Sequence, residues 1–328
     1  MEIKHQVLKI LEENRGGTVN GSRLAETLKV TRSSIWKAVK ALQKEGYAIE
    51  AVTNKGYSLH IDSDILSGEG IIPFLKGKAS DFVLDVRQSV TSTNIVAKEL
   101  AAKGVREGTV VAAIEQTEGR GRMGRSFYSP ASTGIYFSVI LRPMLNMEDS
   151  LLITTAAAVA VAKAIESVAG IKASIKWVND VYVEGKKVCG ILTEASLNFE
   201  SGGLEYAVLG IGINIETKDF PEGLNQTAGS VFKDKPSGAP IKSMLLAEVL
   251  NNLADSMSSL TDRSLIEEYK NRSFLIGKNI LVLRGQNAIP AKAIDIDDKA
   301  HLVVEYEDGS KEALNSGEVS IRTADSNN

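Results

Sequence analysis

The first 45 residues carry apolar side chains at helical spacing, interrupted by two short turns. The first stripe ends at Gly16-Gly17, Ser22 is expected to cap a short second helix, and Thr31 to cap a third helix that runs to about Glu45. The third helix has one apolar face, and its remaining surface is polar and basic. The apolar face consists of Ile35, Ala38, Val39 and Leu42.

Two short strands follow, at residues 47–52 and 57–61, with a turn at 53–56. Three helices and a hairpin predict a winged helix-turn-helix domain over residues 1–62, in which the third helix enters the major groove of DNA. The alternative is a small helical docking module, and Trp36 has the alternative of half-buried packing. The predicted base-reading residues are Arg32 and Ser33, the predicted phosphate contacts are Lys37, Lys40 and Lys55, and Trp36 is a further predicted DNA contact.

The charge of the chain supports this division. The net charge is −3, but residues 1–62 contain ten Lys and Arg against seven Asp and Glu, so the remainder carries −6. A basic segment in an otherwise acidic chain indicates parts with different partners. A protein need not be basic overall to bind DNA when its positive charge is confined to one module.

Composition excludes several classes of protein. With 1 Cys, an internal disulfide and a Cys-rich metal site are both excluded. The charge-free apolar stretch at 150–162 is shorter than the roughly 20 residues that span a bilayer. The N-terminal residues are charged and lack the apolar core of a signal peptide, so we expect a cytoplasmic location.

Residues 81–272 mix strands and helices, which predicts an α+β domain with a mixed sheet, preceded by a linker at 63–80. The segment GRGRMGR at 119–125 lies between two predicted strands and concentrates three arginines among three glycines. Its spacing does not match a P-loop. Such a loop suits closure over an anionic phosphate ester, and the alternative is a basic loop that binds RNA.

The C-terminal part changes pattern again. Residues 216–240 are polar with interspersed Gly and Pro and predict a loop, and helices are expected over 241–270. Beyond residue 278 the pattern is of short strands at 280–283, 291–296, 302–306 and 319–321, with a hairpin turn at Asp308-Gly309. We expect residues 273–328 to form a small SH3-like β-barrel.

Five motifs together resemble the biotin–protein ligase family, in that family's order and spacing. They are TSTN at 91–94, EQTEGRGRMGR at 115–125, KWVND at 176–180, KVCGIL at 187–192 and GIGINI at 210–215. Val178 stands where the family often has Pro. With the winged helix in front, the chain resembles the bifunctional members that are both ligase and biotin-operon repressor. The resemblance implies an α/β mixed-sheet catalytic domain of class II synthetase-like fold.

The resemblance implies a two-step reaction. Biotin and ATP give biotinyl-5′-AMP and pyrophosphate, and a lysine of a biotin carboxyl carrier protein domain then takes the biotin. The implied biotin or adenylate contacts are Ser92, Thr93, Asn94, Gln116, Arg120, Gly121, Arg122 and Lys187, with Arg120, Arg122 and Lys187 also catalytic. The implied nucleotide contacts are Phe127, Lys176, Asp180 and Asn214, with Asp180 also a Mg²⁺ ligand.

The family also implies that biotinyl-AMP favours a homodimer that binds a palindromic operator. Cys189 lies among apolar neighbours and is expected to be packing rather than a nucleophile. Two alternatives remain open at this point. One is a lipoate–protein ligase, and the other is a non-catalytic transcription factor whose ligase fold only senses a ligand.

Overall fold

The computed structural model describes residues 2–52, 55–197, 203–260, 262–285 and 287–321. Within these ranges the helices are α1 (Ile3–Glu13), α2 (Gly21–Thr27), α3 (Arg32–Lys44), α4 (Gly68–Ile71), α5 (Thr93–Ala102), α6 (Leu151–Ala169), α7 (Ile241–Met257) and α8 (Arg263–Arg272). The strands there are β1 (Ile49–Val52), β2 (Gly56–Leu59), β3 (Val83–Val90), β4 (Thr109–Gln116), β5 (Gly134–Leu141), β6 (Ser174–Lys176), β7 (Asp180–Val183), β8 (Lys186–Leu197), β9 (Leu204–Asn214), β10 (Asn279–Arg284), β11 (Asn287–Ile296), β12 (Leu302–Tyr306), β13 (Lys311–Leu314) and β14 (Glu318–Ile321).

The N-terminal domain has its own core, formed where α1, α2 and α3 pack together over the β1–β2 hairpin. Thr31 caps α3 as predicted, accepting from the Ser34 backbone N–H. The prediction that Ser22 caps α2 was wrong. Asn20 is the cap, because its side-chain oxygen accepts from the N–H groups of both Ser22 and Arg23 and satisfies two donors of the first turn. Thr53 and Asn54, at the predicted wing turn, lie outside the described residues.

The central domain is a seven-stranded sheet in the order β3-β4-β5-β9-β8-β7-β6. β3 and β4 are parallel and the other neighbours are antiparallel, so the sheet is mixed, as predicted. β4 reads as a continuous apolar run because both of its faces are covered. Val110 and Ala112 face the main core with α6 and α7, whereas Val111 belongs to a smaller core under α5.

Helix α6 is the central core helix of this domain. Residues Met147–Ala169 are long and apolar enough to cross a membrane by length and composition, but 72% of that apolar window is buried inside the protein. The helix packs against α7, α8 and the sheet. The apolar stretch is therefore longer than the sequence analysis allowed, and its burial identifies it as a core helix.

The segment 63–80, predicted as a linker, is folded onto the core of the central domain. It contains α4 and two short 3₁₀ helices, and Leu66, Ile71 and Ala79 are buried in the main apolar cluster. Asp64 is buried and paired with lysines from beyond β9. The segment has few aromatic residues, but its small and aliphatic side chains are enough to anchor it.

The C-terminal residues form a five-stranded antiparallel sheet in the order β13-β12-β11-β10-β14. The hairpin turn at Asp308-Gly309 is confirmed, with Gly309 at φ 81°. β13 was not predicted, because Lys311–Leu314 has only four residues, of which two are charged and only Leu314 is buried. Ile280, Ala293 and Leu302 of this sheet are buried in the same apolar cluster as the core of the central domain, so the two domains share one packed interior.

Candidate active site

One cleft on the central sheet gathers every residue predicted to bind biotin or nucleotide. Its cavity volume is about 340 Å³. The predicted residues that line it are Ser92, Thr93, Asn94, Gln116, Arg120, Gly121, Arg122, Phe127, Lys176, Asp180, Lys187 and Asn214. They come from six separate segments, so the sheet and the N-terminus of α5 bring them together. A concave site with few convergent polar groups is the usual form of a small-molecule site.

A buried hydroxyl and amide pair forms one end of the cleft. Thr93, at the start of α5, is 3% exposed. Its backbone N–H and its hydroxyl both donate to Gln116 Oε1, at 2.8 and 3.1 Å. The Gln116 Nε2 group donates to Ser129 Oγ at 2.9 Å. The orientation of the Gln116 amide is thus fixed from both sides, through its oxygen and through its nitrogen.

Asn94 lies behind this pair and is held by the protein itself. Its Nδ2 donates to Glu194 Oε2 at 2.9 Å and to the Leu192 carbonyl at 3.3 Å, and its Oδ1 lies 2.6 Å from Ser138 Oγ. Asn94 is 4% exposed and presses against Gly210, where a Cβ would collide with its amide. Both polar atoms of Asn94, a predicted contact residue, are therefore hydrogen-bonded within the protein, where they support the start of α5.

Glu194 anchors this network from β8. Its carboxylate accepts from Lys98 Nζ at 2.9 Å as well as from Asn94. Burial acts to raise the pKa of Glu194, but the hydrogen bonds from Lys98 and Asn94 outweigh it and lower the pKa. Glu194 and Ser138 were not predicted from the sequence. The sequence could have indicated Ser138, because it is a hydroxyl residue within the otherwise apolar, buried strand β5.

The arginine-glycine segment 119–125 arches over the cleft as a tight loop. Gly121 N–H donates to the Arg125 carbonyl at 2.7 Å, and Arg120 pairs with Ser126 in an isolated β-bridge. Met123 has φ 55° and is 75% exposed at the tip. Arg122 Nη1 donates to Asn179 Oδ1 at 3.2 Å, which ties the loop to the KWVND turn. The loop contains one short 3₁₀ turn at Arg122–Gly124 and brings three arginines, Arg120, Arg122 and Arg125, to the cleft.

Phe127, just beyond the loop, lies on the glycines of β8 and β9. A Cβ on Gly212 would come within 2.5 Å of the Phe127 ring, and one on Gly190 within 3.1 Å. The ring also meets Tyr136 edge-on, with 6.4 Å between centroids. The absent side chains of Gly190 and Gly212 thus make the space in which an aromatic ring sits in the cleft.

Opposite charges meet at the other end of the cleft. Lys187 Nζ lies 2.5 Å from Asp180 Oδ1, and Lys176 lines the same wall. Together with Arg120, Arg122 and Arg125 of the loop, five cations and one carboxylate line the cleft. No group of three or more His, Cys, Asp or Glu side chains able to hold a metal occurs among the described residues. Asp180 alone offers a carboxylate, so a metal here would need most of its ligands from a bound phosphate.

The loop after β9, predicted for residues 216–240, crosses this end of the cleft. Lys187 N–H donates to the Thr227 carbonyl, and Gly229 N–H donates to the Lys187 carbonyl, both at 2.9 Å. Asn214 Nδ2 donates to the Gly229 carbonyl at 3.0 Å, while its Oδ1 is buried without a hydrogen-bond partner. The unpaired acceptor indicates a ligand donor. Cleft residues from this loop that the sequence analysis missed are Phe220, Leu224, Thr227 and Ala228.

A second candidate surface lies on α3. The side chains of Arg32, Ser33, Trp36, Lys37 and Lys40 are all exposed, as is Lys55 at the hairpin. Trp36 is 53% exposed. The apolar face of α3, with Ile35, Ala38, Val39 and Leu42, is buried as expected. The helix therefore presents a polar, basic face to solvent.

Three family models match the chain. One described as the biotin/lipoate A/B protein ligase family matches residues 85–214, one described as an HTH domain matches residues 4–58, and one described as the biotin protein ligase C terminal domain matches residues 275–322. The three matches follow the order of the N-terminal, central and C-terminal parts described above.

Known proteins align along nearly the whole chain. The bifunctional ligase/repressor BirA of Bacillus spizizenii is 33% identical over 315 residues, which cover 94% of this chain and 96% of that protein. The protein of the same name from Escherichia coli is 26% identical over 310 residues, covering 93% and 94% of the two chains. Among solved structures, the biotin protein ligase from Aquifex aeolicus in complex with biotin and ATP matches with a TM-score of 0.60 and 29% identity, covering 73% of this chain and 98% of that one.

Proposed function

The chain belongs to the family of bifunctional biotin ligases and repressors, and we propose that its single cleft performs both half-reactions of biotin transfer. Biotin and ATP form biotinyl-5′-AMP and pyrophosphate, and the biotinyl group then passes to a lysine of a biotin carboxyl carrier protein. One observation carries this proposal. The Thr93–Gln116 pair and the cluster of Arg120, Arg122 and Lys187 face the same cavity.

The buried polar end is suited to the ureido ring of biotin. A ureido group offers two N–H donors and one carbonyl acceptor in one plane. Ser92, Thr93 and Gln116 present hydroxyl and amide groups there, and Gly121 lets the loop backbone approach closely. Asn94 acts from behind, because its hydrogen bonds to Glu194 and Ser138 hold the start of α5, and Ser138 in turn contacts Thr93.

The cationic end is suited to activation of the carboxylate. A biotin carboxylate oxygen attacks the α-phosphorus of ATP, the bond to the bridging oxygen breaks, and pyrophosphate leaves with the electron pair. Negative charge builds up on the phosphate oxygens in this step, and fixed cations stabilise such charge most where water is excluded. Arg120, Arg122 and Lys187 supply this stabilisation, and Lys176 adds to it.

The nucleoside is held between Asn214 and Phe127. The buried, unpaired Oδ1 of Asn214 accepts a hydrogen bond from the adenine or ribose, and the Phe127 ring offers a stacking face. Asp180 would supply the carboxylate ligand from the protein to a Mg²⁺ ion held on the ATP phosphates. Mg²⁺ commonly binds with one or two carboxylates together with substrate phosphates, which fits the lone carboxylate here. When bound, it neutralises phosphate charge.

Transfer needs no nucleophile from this chain. The lysine amine of the carrier attacks the carbonyl carbon of the mixed anhydride. The single bond from that carbon to the phosphate oxygen breaks, and AMP leaves. Cys189 is fully buried among apolar residues, and burial raises the pKa of its thiol, so it is unsuited to attack. The loop at 119–125 closes over the anhydride and keeps water from hydrolysing it.

The N-terminal domain acts as a repressor of biotin genes. The exposed face of α3, with Arg32 and Ser33, reads bases in the major groove, Lys37, Lys40 and Lys55 contact phosphates, and Trp36 adds contact area. We propose that biotinyl-AMP favours a homodimer, since a two-fold protein matches a palindromic operator.

The finer architecture follows from this assignment. We propose domain limits of 1–62 for the winged helix, 63–80 for the connector, 81–272 for the class II synthetase-like catalytic domain and 273–328 for an SH3-like barrel. The all-antiparallel order of the five C-terminal strands supports the barrel. The reaction needs ATP and intracellular carrier domains, which supports a cytoplasmic location.

The assignment is tested by incubating the protein with labelled biotin, ATP and a carrier domain. We expect label on the carrier lysine that depends on ATP and releases one pyrophosphate per transfer. Labelling with lipoate in place of biotin would instead support a lipoate–protein ligase. Ligand-dependent DNA binding without any turnover would support a transcription factor that only senses the ligand.

A further inference from the structure

The turn at residues 176–180 is supported from outside the catalytic sheet. Lys176 and Asp180, at its two ends, line the cationic end of the cleft. The side chain between them, Trp177, is 4% exposed, and its indole Nε1–H donates to the Ala300 carbonyl at 2.9 Å. Ala300 belongs to the connection between β11 and β12 of the C-terminal sheet. One hydrogen bond thus joins that sheet to the ATP side of the site.

The acceptor of this bond is itself rigid. Ala300 is fully buried with φ 63°, a left-handed conformation that L-residues seldom adopt. Its N–H donates to the Asp297 carbonyl at 2.9 Å, and the Asp297 carboxylate accepts from the N–H groups of Lys299 and His301. The turn 297–301 therefore presents the Ala300 carbonyl at a fixed position to the indole.

Helix α8 supports the next residue of the turn. The Tyr269 hydroxyl donates to the Val178 carbonyl at 2.9 Å, and Tyr269 is fully buried. Burial raises the pKa of Tyr269, so its hydroxyl stays a neutral donor. Two consecutive residues of the turn are thus held by hydrogen bonds from the C-terminal third of the chain.

Asn179, the last residue before Asp180, connects the turn to the arginine loop. Asn179 Nδ2 donates to the Ile191 carbonyl at 2.7 Å, and Ile191 N–H donates to the Asn179 carbonyl at 3.0 Å. Asn179 Oδ1 is the acceptor for Arg122. The position of the turn therefore affects Lys176 and Asp180 directly and Arg122 through Asn179.

We propose that Trp177 and Tyr269 are positioning residues for adenylate formation, through which the C-terminal part of the chain orients Lys176, Asp180 and Arg122 around the ATP phosphates. This inference rests on the proposed ligase function. The Trp177–Ala300 hydrogen bond assigns the C-terminal sheet a role in ATP use that needs no direct contact with biotin, and the Tyr269–Val178 hydrogen bond assigns the same role to α8. Catalytic groups must be held close to their productive geometry, and supporting hydrogen bonds do so.

The biotin end of the cleft depends on other elements. Thr93, Gln116 and Ser138 belong to α5, β4 and β5, and their hydrogen bonds to one another do not pass through the turn. Loosening the turn should therefore impair the use of ATP while biotin binding stays intact. A general loss of stability would impair both.

The test compares Tyr269→Phe and Trp177→Phe with the wild-type protein. For each we would measure pyrophosphate release against ATP concentration, biotin affinity by calorimetry, and transfer from chemically prepared biotinyl-AMP to a carrier domain. We expect kcat/KM for ATP to fall about tenfold, as the loss of a buried hydrogen bond predicts. The biotin Kd and the transfer rate should stay within about threefold, a change too small to reflect a lost hydrogen bond.

Tyr306→Phe is the matched control, because the Tyr306 hydroxyl donates to Glu312 within the same C-terminal sheet but away from the turn. Wild-type kinetics in Tyr269→Phe, or an equal loss in all three measurements, would overturn the inference. Tyr269→Phe carries the test alone if Trp177→Phe fails to fold. Failure of the wild-type protein to release pyrophosphate would instead contradict the proposed ligase function.

Discussion

The hydroxyl of Ser138 lies 2.8 Å from the hydroxyl of Thr93, and both are buried beneath the proposed ureido site. The same Ser138 oxygen lies 2.6 Å from Asn94 Oδ1. Replacing Ser138 by Ala leaves two buried groups with one partner fewer, which costs about 1–3 kcal/mol. We expect Ser138→Ala to weaken biotin binding about tenfold, measured by calorimetry, with the KM for ATP little changed.

The control for this variant is Thr155→Val in helix α6. Thr155 is fully buried, and its hydroxyl donates to the Leu151 carbonyl away from the cleft. It should lower stability in a similar way while biotin affinity stays at the wild-type value. Equal losses of biotin affinity in both variants would show that Ser138 acts only through general stability.

Closure of the arginine-glycine loop predicts a change in protease sensitivity. Met123 is exposed at the tip, between two arginines that trypsin recognises. We expect biotin with ATP to slow tryptic cleavage after Arg122 and Arg125, because the loop closes over the adenylate. Cleavage at an exposed site elsewhere, such as Lys78, provides the internal control. Equal loop cleavage with and without ligands would argue against closure.

The sequence predicted the residues of the site better than the residues that hold them in position. Most of the residues lining the cleft fall within short motifs such as GRGRMGR and KWVND, so local spacing identifies them, whereas Phe220, Leu224, Thr227 and Ala228 lie outside these motifs. Ser138 and Tyr269 support those motifs from positions far along the chain, where only the sheet register and the packing of α8 bring them near. The strands of the C-terminal sheet were likewise predicted from local patterns, and β13 was missed because it has only four residues, of which two are charged.

A buried charge cluster joins the connector to the loop over the cleft. Asp64 Oδ2 lies 2.9 Å from Lys235 Nζ, and Asp64 Oδ1 accepts from the Lys242 N–H at 3.0 Å. Lys235 also lies 3.2 Å from Glu216. Burial acts to lower the pKa of Lys235, but the two carboxylates outweigh it and raise the pKa. The carboxylate of Asp64 therefore sustains a protonated, half-buried lysine.

We expect Asp64→Ala to lower the free energy of unfolding by about 3 kcal/mol, because it removes the nearer of the two carboxylates that pair with Lys235 and leaves the buried Lys242 N–H without its acceptor. The control is Asp234→Ala, which breaks an exposed pair with Lys218 and should cost less than about 0.5 kcal/mol. Urea denaturation measures both. A change for Asp64→Ala as small as that of the control would contradict a stabilising role for this cluster.

DNA binding predicts different effects for two exposed residues of α3. Lys40→Ala should reduce the slope of log K against log salt by about 1, as expected for one lost phosphate contact. Arg32→Ala should relax sequence preference when palindromic duplexes of varied sequence compete. Lys9→Ala, an exposed lysine of α1, is the control. An unchanged preference in Arg32→Ala would remove that residue from base recognition.

Pyrophosphate release without any carrier protein tests the central claim most directly, because it isolates adenylate formation in the cleft. Lys187 lies 2.5 Å from Asp180 at the proposed phosphate end, whereas Lys233 pairs with Glu184 at the surface and serves as control. We expect Lys187→Ala to reduce the rate about a hundredfold or more, as loss of a fixed charge at a developing anion does. Lys233→Ala should match the wild-type protein. An unchanged rate in Lys187→Ala would contradict the account.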